Sequence, residues 1–199
     1  MPIFRGTNNI SKIFRGNTEI VKAFRGVNLI FQSGEPQYEL IADVNVTTNT
    51  TQIDFDNLNI TKDDELRLVY TLVGSSSTNF TNCALFVNNN NTASNYFRQR
   101  LIGFGSTLSA SRNNINYFGG ARSNKKISGF ADIKISNNDR YVFQSQFING
   151  IGAESSAVDN VNENVVGTFT ITSITKLSVV AFSEQIAVGS RLQLYKVVR

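Results

Sequence analysis

The sequence predicts an all-β protein: an antiparallel, jelly-roll-like β-sandwich preceded by a short segment of β-repeats. Many short runs of alternating apolar and polar residues are separated by polar turns, and no segment combines a helical period with helix caps. Apolar residues make up 41% of the composition, and only two residues are proline. With 199 residues, the chain has room for one domain of typical size and a small appendage.

The N-terminal region contains a ten-residue repeat. The tripeptide Phe-Arg-Gly occurs at Phe4-Arg5-Gly6, Phe14-Arg15-Gly16 and Phe24-Arg25-Gly26. This period is too short for helical-hairpin repeats, whose units have roughly thirty residues or more, but it fits one short strand and one turn. Gly16-Asn17 and Gly26-Val27-Asn28 supply residues that tolerate positive φ in such turns. The repeat therefore predicts a small β-meander in residues 1–34.

A meander of about three short strands cannot bury enough apolar surface to be stable alone. Its aromatic row must be covered by the rest of the chain, by sister copies or by another protein. We therefore expect this segment to dock on a partner. The side chains expected to make that contact recur in phase: Phe4, Arg5, Ile10, Phe14, Arg15, Ile20, Phe24, Arg25 and Ile30.

The net charge of the chain resides in the repeat. Residues 1–34 contain five cations and one carboxylate, a net charge of +4, whereas residues 35–199 contain 14 of each. A compact basic segment fits an acidic protein surface, nucleic acid or an anionic membrane. Alternatively, evenly spaced cations protect strand edges against self-pairing. Nucleic acid is not an expected partner, because no base-stacking aromatic motif or helix with clustered Lys and Arg accompanies the charge.

The residues Gly34, Glu35 and Pro36 break the pattern, so the predicted domains are the docking segment 1–34 and a sandwich domain 35–199. Alternating runs predict about nine strands in the sandwich, at residues 38–46, 53–55, 65–73, 83–87, 127–135, 141–148, 165–172, 177–182 and 192–198. Two long loops are expected at 74–82 and 103–126, and loops of this length are functional or ordered by a neighbour.

Four aromatic residues beside Asn- and Arg-rich loops are expected to be exposed and to contact a receptor or another subunit: Tyr96, Phe97, Tyr117 and Phe118. Tyrosine combined with Asn and Arg suits recognition of a sugar or a protein, because a flat ring offers contact area at low entropic cost. A host-surface glycan is the ligand considered, and burial at a subunit interface is the alternative.

The chain contains no histidine, which removes Ser-His-Asp, Cys-His and His-based zinc sites. The acidic run 54–65 departs from a calcium loop at Leu58 and lacks the required glycine and terminal glutamate. Paired carboxylates hydrolyse glycosides in other proteins. The aspartates considered for that role lie in ordinary strand and turn contexts: Asp54, Asp63, Asp132 and Asp139. We therefore expect no enzymatic activity, no metal site and no cofactor.

The single cysteine, Cys83, cannot form an intrachain disulfide, and its apolar neighbours predict a buried structural thiol. Residues 1–5 lack the apolar core and the cleavage site of a signal peptide. No stretch approaches the roughly eighteen consecutive apolar residues of a membrane span. We expect a protein that is made in a cytoplasm and has no membrane partner.

Two motifs resemble virion structural proteins of tailed bacteriophages. Residues 13–26, IFRGNTEIVKAFRG, are similar to the tandem K-x-Y-x-G-x-x-x-V repeats that open many phage fibre and auxiliary capsid proteins, with Phe in place of the more usual Tyr. Residues 186–195, IAVGSRLQLY, are similar to the G-S-R-x-x-L-Y closing strand of a β-sandwich at the end of such proteins. Together the two motifs frame nearly the whole chain.

This resemblance implies a non-enzymatic virion component whose repeat docks on a capsid, portal or tail protein while the sandwich projects as a homo-oligomer, with a trimer favoured. It implies localisation in the virion after assembly in the host cytoplasm. A short chain without a fibre shaft favours a capsid decoration or head-fibre protein. The alternative is a tail fibre or another receptor-binding protein that recognises a host-surface glycan or protein.

Overall fold

The structure is a computed structural model that describes residues 13–15, 18–20, 22–25, 28–32, 37–79, 81–104, 107–114, 117–121, 123, 126–149 and 159–198. The chain divides into two compact units, a small N-terminal one and a larger one, Tyr38–Val197. The described residues lie mostly in β-strands, and their one helical element is a 3-10 turn, Ala93–Asn95. The predicted all-β fold class is confirmed.

The N-terminal unit contains two β-hairpins in two separate antiparallel sheets. Their strands are β1 (Ile13–Arg15), β2 (Thr18–Ile20), β3 (Lys22–Arg25) and β4 (Asn28–Gln32). Arg15 pairs with Thr18 and Arg25 pairs with Asn28, so two residues separate the paired ends of each hairpin. In its described residues the repeat thus forms two hairpins rather than one three-stranded meander, and each short reversal joins two neighbouring strands.

The larger unit is a sandwich of two antiparallel sheets, as predicted. In chain order its described strands are β5 (Gln37–Asn45), β6 (Gln52–Phe55), β7 (Glu65–Leu72), β8 (Thr81–Val87), β9 (Tyr96–Phe104), β10 (Thr107–Asn113), β11 (Tyr117–Ala121), β12 (Ile127–Ile135), β13 (Arg140–Asn149), β14 (Asp159–Thr170), β15 (Leu177–Ala181) and β16 (Arg191–Val198). The eight-stranded sheet has the order β10-β9-β14-β13-β12-β7-β16-β5, and the four-stranded sheet has the order β11-β8-β15-β6. The finer expectation of a jelly roll stays a prediction.

Alternation along the strands places one face of each sheet in the core. On β7, Leu66, Leu68 and Tyr70 are buried, whereas Val69 between them is 37% exposed. Successive residues of a strand point to opposite faces, so each apolar row packs against the opposing sheet. Burying one such side chain stabilises the fold by roughly 1.5–3 kcal/mol relative to leaving it exposed.

Each of the nine predicted strand segments contains a strand, but the loop predicted at 103–126 is wrong in part. Strands β10 and β11 lie within it, and β9 precedes them. Strand β10 is an edge strand whose described side chains, from Leu108 to Asn113, are all exposed. Its sequence therefore shows no apolar alternation. Strand β11 contains Gly119 and Gly120, which are depleted in strands and favour turns in a sequence.

The predicted burial of the thiol is confirmed. Cys83 lies on β8 and is 1% exposed. Burial in an apolar environment raises the pKa of its thiol to about 12, because the thiolate form loses its hydration. The thiol is therefore protonated at neutral pH in the folded protein.

The end of β8 is fixed by the side chain of Asn88, which has a positive φ of 50°. Its amide oxygen accepts hydrogen bonds from the backbone nitrogens of Thr175 at 2.8 Å and Lys176 at 3.2 Å. Its amide nitrogen donates to the carbonyl of Ser173 at 2.7 Å. These contacts tie the turn after β8 to the segment that leads into β15.

Candidate functional site

The expected docking residues lie in the N-terminal hairpins where they are described. Phe14 and Arg15 lie on β1, Ile20 on β2, Phe24 and Arg25 on β3, and Ile30 on β4. Across the ladders, Phe14 pairs with Glu19 and Phe24 pairs with Leu29. Phe4, Arg5 and Ile10 lie outside the described residues. The docking role of this set stays a prediction.

The expected recognition aromatics divide into buried and accessible residues. The prediction of exposed side chains is wrong for Tyr96 and Phe118. Both are 0% exposed, because they occupy inward positions on β9 and β11. The Tyr96 hydroxyl donates to the carbonyl of Asn90 at 2.8 Å. Phe97, on the opposite face of β9, is 44% exposed. The fourth, Tyr117, is partly buried and lines a charged cavity.

The aspartates considered for catalysis are mostly engaged in ion pairs. A carboxylate oxygen of Asp54 lies 2.9 Å from Nζ of Lys176, and one of Asp132 lies 2.6 Å from Nε of Arg67. Asp139 approaches Lys62 at 3.4 Å. Within the described part of the chain, no group of three or more side chains is arranged to hold a metal ion.

The C-terminal motif, residues 186–195, makes contacts that stabilise the sandwich. Gly189 has a φ of +87°, a left-handed conformation that favours glycine. The Ser190 hydroxyl accepts a 2.9 Å hydrogen bond from the backbone nitrogen of Val73. Arg191 donates from Nε to Asp43 on β5 at 2.9 Å. The motif thus fixes the start of β16 between β7 and β5.

Three charged side chains that the sequence did not indicate as site residues meet inside the sandwich. Arg98 and Arg100 belong to β9 and Glu163 belongs to β14; Arg98 and Glu163 are 5% and 1% exposed. Nη1 of Arg98 donates to Oε1 of Glu163 at 3.2 Å. Nε of Arg100 lies 3.1 Å from the same oxygen. On its other side, Nε of Arg98 donates to the amide oxygen of Asn113 at 3.1 Å.

The charged group continues across the sheet as a row of polar side chains. Arg100, Glu163 and Ser145 are direct neighbours on β9, β14 and β13. Oε2 of Glu163 and Oγ of Ser145 are buried without a hydrogen-bond partner among the described residues, and Nε of Arg100 lies within ion-pair distance of Glu163 but makes no hydrogen bond with it. An unsatisfied buried polar group costs about 1–3 kcal/mol. Such a row is stabilised when a bound molecule supplies the missing partners.

The charged group borders a cavity of about 190 Å³ between the two sheets, which we call the charged cavity. The buried Arg98 and Glu163 line this cavity together with Arg100, which is partly exposed. The guanidinium carbon of Arg98 lies 5.7 Å from the ring centroid of Tyr117, within the range of a cation–π contact. The lining residues are Asn82, Arg98, Arg100, Tyr117, Gly119, Gly120, Phe147 and Glu163.

Burial and charge oppose each other at Glu163. Burial raises the pKa of its carboxyl group to about 7, although Arg98 and Arg100 act to lower it. Burial likewise lowers the pKa of Arg98. When Glu163 is ionised the three side chains carry a net charge of +1, and when it is protonated they carry +2. The charged cavity is therefore electropositive in either state.

One sequence signal for the charged cavity exists. Tyr96, Arg98, Arg100 and Ile102 occupy every second position of β9, so two cations take places that alternation assigns to the core. A cation at an inward position requires a buried partner of opposite charge. That partner, Glu163, lies 65 residues from Arg98 in the chain, and a single sequence does not indicate this pairing.

The outer face of the eight-stranded sheet, the one turned away from the four-stranded sheet, carries both amide and apolar side chains. Gln99, Asn164 and Gln144 are adjacent across β9, β14 and β13. Phe97 and Val166 pair with each other and are 44% and 42% exposed. A groove of about 430 Å³ on this sheet is lined by residues that include Asp132, Lys134, Gln144, Asn164 and Val166.

No protein-family model, curated protein or solved structure matches this chain. Among the described residues, no helix has the length and apolar character needed to cross a bilayer.

Proposed function

We propose that this protein is a non-enzymatic structural component of a tailed-phage virion. It is an auxiliary capsid protein, of the decoration or head-fibre kind, that docks through its N-terminal repeats and projects the β-sandwich. The observation that carries this proposal is the pairing of the repeat in two-stranded sheets. The resemblance of residues 13–26 and 186–195 to phage virion proteins supports the same function.

The unpaired edges of the hairpins favour docking by strand addition. Within the described residues, each of β1 to β4 has one strand partner, so one edge of every strand keeps N–H and C=O groups unpaired by another strand. An isolated two-stranded hairpin is marginally stable at best in water. A partner sheet that adds a strand at such an edge supplies main-chain hydrogen bonds and covers apolar side chains.

The charge of the segment favours an acidic surface on that partner. Arg15 and Arg25 end the first strand of each hairpin and follow the two phenylalanines directly. An aromatic residue next to a cation provides apolar contact and charge complementarity at one place. The partner expected from this chemistry is an acidic virion protein, a capsid, portal or tail protein, rather than nucleic acid.

Incorporation into particles tests the proposal. Deleting residues 1–32 leaves the sandwich soluble and folded but absent from purified particles. Replacing both Arg15 and Arg25 by Glu lowers the copy number in particles, because the contact loses its charge complementarity. The matched control is Arg112→Glu, which reverses an exposed cation on β10. Normal copy number for the deletion variant contradicts the docking role of the repeat.

The apolar side chains on the outer face support assembly into a homo-oligomer, for which we propose a trimer. Phe97, Leu101, Val166 and Ile148 are each more than 40% exposed and lie on the adjacent strands β9, β14 and β13. Phe97 and Val166 pair directly across two strands, and neighbouring apolar side chains exposed on a sheet face suit an interaction surface. Sister copies of the sandwich are the occupant that a projecting virion protein provides.

The second candidate function is receptor binding, with the protein acting as a tail fibre or another adhesin. The groove on the outer face favours it, because amides and charged groups stand beside an accessible apolar side chain there. Its test is competition: the purified protein adsorbs to host cells and blocks infection. The test variant Gln144→Ala removes an amide from the groove and is expected to weaken adsorption. Absence of adsorption by the intact protein contradicts this function.

A further inference from the structure

We propose that the charged cavity binds a monosaccharide unit that carries a carboxylate, of the uronic-acid class found in acidic polysaccharides. The cavity lies between the sheets, whereas the hairpins and the outer face carry the functions proposed above. The inference therefore goes beyond those functions and does not depend on either.

The charged cavity is lined by buried polar groups whose hydrogen-bonding capacity is only partly used. Glu163 is 1% exposed and borders the cavity, yet its Oε2 has no hydrogen-bond partner among the described residues. Nε of Arg100 is ion-paired with Oε1 of Glu163 at 3.1 Å but makes no hydrogen bond with it. Buried polar groups in folded proteins are nearly always paired. A ligand with both a donor and an acceptor would pair the two groups at once.

The two arginines select the acidic group of the ligand. A guanidinium presents a planar fork of donors that matches a carboxylate in two parallel hydrogen bonds. Arg98 is already positioned by Glu163 and Asn113, at 3.2 and 3.1 Å, so little side-chain entropy is lost when a ligand binds. The side chain of Arg100 is 29% exposed, which places it where an entering carboxylate first meets the cavity.

The remaining lining residues suit a sugar ring. Oε2 of Glu163 is an acceptor without a donor, so it fits a sugar hydroxyl. Tyr117 and Phe147 offer apolar ring surface for the C–H face of a pyranose. A cavity of about 150 Å³ holds one benzene ring. The charged cavity, at about 190 Å³, therefore holds one six-membered ring rather than several.

The arrangement favours binding rather than hydrolysis. Glycosidases require two carboxyl groups about 5–10 Å apart, on either side of the scissile bond. Glu163 is the one carboxylate among the described residues that line the cavity. The acidic sugar is therefore held and released unchanged.

Calorimetric titration of the full-length protein tests this inference, with sodium glucuronate, glucose and inorganic phosphate as the probes. We expect glucuronate to bind at least about tenfold more tightly than glucose, because only glucuronate pairs with the arginines. Phosphate, which lacks the ring, is expected to bind about tenfold more weakly than glucuronate. Equal affinity for glucose or for phosphate, or no binding of glucuronate, overturns the inference.

Variants locate the binding. Arg100→Ala is expected to weaken glucuronate binding about tenfold or more, and Arg100→Lys retains the charge but not the planar fork, so it is expected to rescue binding only in part. Arg112→Ala is the matched control, since Arg112 is exposed on the neighbouring strand β10. Unchanged affinity in both Arg100 variants places the sugar elsewhere and overturns the assignment. If Arg100→Ala fails to fold, the glucuronate affinity of Arg100→Lys and the relative affinities for glucuronate, glucose and phosphate test the assignment.

Discussion

Glu163 shows how a single residue is governed by two opposing influences. Removal from water favours its neutral form, and the nearby guanidinium groups of Arg98 and Arg100 favour its charged form. The first influence is the larger, so the pKa of the carboxyl group is raised from 4.5 to about 7. The folded protein therefore retains a proton there that the unfolded chain releases in mildly acidic solution.

This proton makes the stability of the protein depend on pH. Between pH 4.5 and about 7, the folded state binds the proton and the unfolded state does not, so the free energy of unfolding falls as pH rises. The shift corresponds to about 3 kcal/mol over that window. Glu163→Gln removes the titration. The difference in free energy of unfolding between the variant and the original protein is therefore expected to rise by about 3 kcal/mol in favour of the variant from pH 4.5 to pH 8. Urea denaturation at several pH values measures this difference.

The matched control for that measurement is Glu39→Gln, because Glu39 is exposed on β5. Its pH profile is expected to follow that of the original protein. Parallel profiles for the original protein and for Glu163→Gln contradict a buried titrating carboxyl at this position.

At the scale of elements, strands were predictable wherever their inner faces are apolar. The alternation in β7, β12 and β13 indicates both the strand and its buried face. Strand β9 escapes the same rule because Arg98 and Arg100 stand at inward positions. The alternation rule also fails for the first half of β14, because the charged Glu163 occupies an inward position there. Sequence patterns therefore fail at β9 and at the first half of β14, which supply the charged side chains of the cavity, as expected when local rules yield to a specific site.

The N-terminal hairpins show a second limit of prediction from the sequence, which concerns strand pairing. Three copies of one tripeptide indicate strands and reversals in the N-terminal segment. They do not indicate which strands share a sheet, because pairing depends on competition between alternative partners. The buried positions of Tyr96 and Phe118 were likewise not predictable from their neighbours. The loops beside them are polar, and only the register of β9 and β11 turns these rings inward.

The contacts of Asn88, in the turn after β8, predict the effect of a single substitution. Asn88→Ala removes the three hydrogen bonds to the backbones of Ser173, Thr175 and Lys176 and places alanine at positive φ. We expect a loss of about 2–4 kcal/mol in the free energy of unfolding, measured by chemical denaturation. The control is Asn89→Ala, since Asn89 also has a positive φ, of 59°. A loss no larger than that of the control contradicts a role for the side-chain hydrogen bonds.

At the scale of the whole molecule, the hydrophobic core belongs to the sandwich. Its buried cluster runs from Val46 to Leu194 and includes residues of both sheets. The N-terminal hairpins belong to the other, smaller compact unit of the chain. The hydrophobic core and the proposed docking segment thus lie in different parts of the sequence.

This division predicts that residues 35–199 fold without the hairpins. The main thermal transition of that fragment is expected to lie within about 2 °C of the full-length value, since a shift of 2–4 °C corresponds to about 1 kcal/mol for a domain of this size. Differential scanning calorimetry measures both transitions. A lower transition by many degrees contradicts independent folding.

The proposed trimer gives the second prediction for the whole molecule. Light scattering during size-exclusion chromatography is expected to report a mass about three times the 22.0 kDa of one chain. Replacing the exposed Phe97 by Asp places an unpaired charge in the contact, and is expected to yield monomers without loss of the sandwich fold. A monomeric original protein contradicts the trimer.

The buried thiol of Cys83 gives the protein an internal reporter of its own opening. A thiol reagent reaches the core sulfur only when the sheets part, and the rate of labelling then measures how often they do so. Because the chain has one cysteine, every labelled molecule counts one opening of the same place. Ligand in the charged cavity, or a partner on the hairpins, becomes visible as a change in that rate without any tag or mutation.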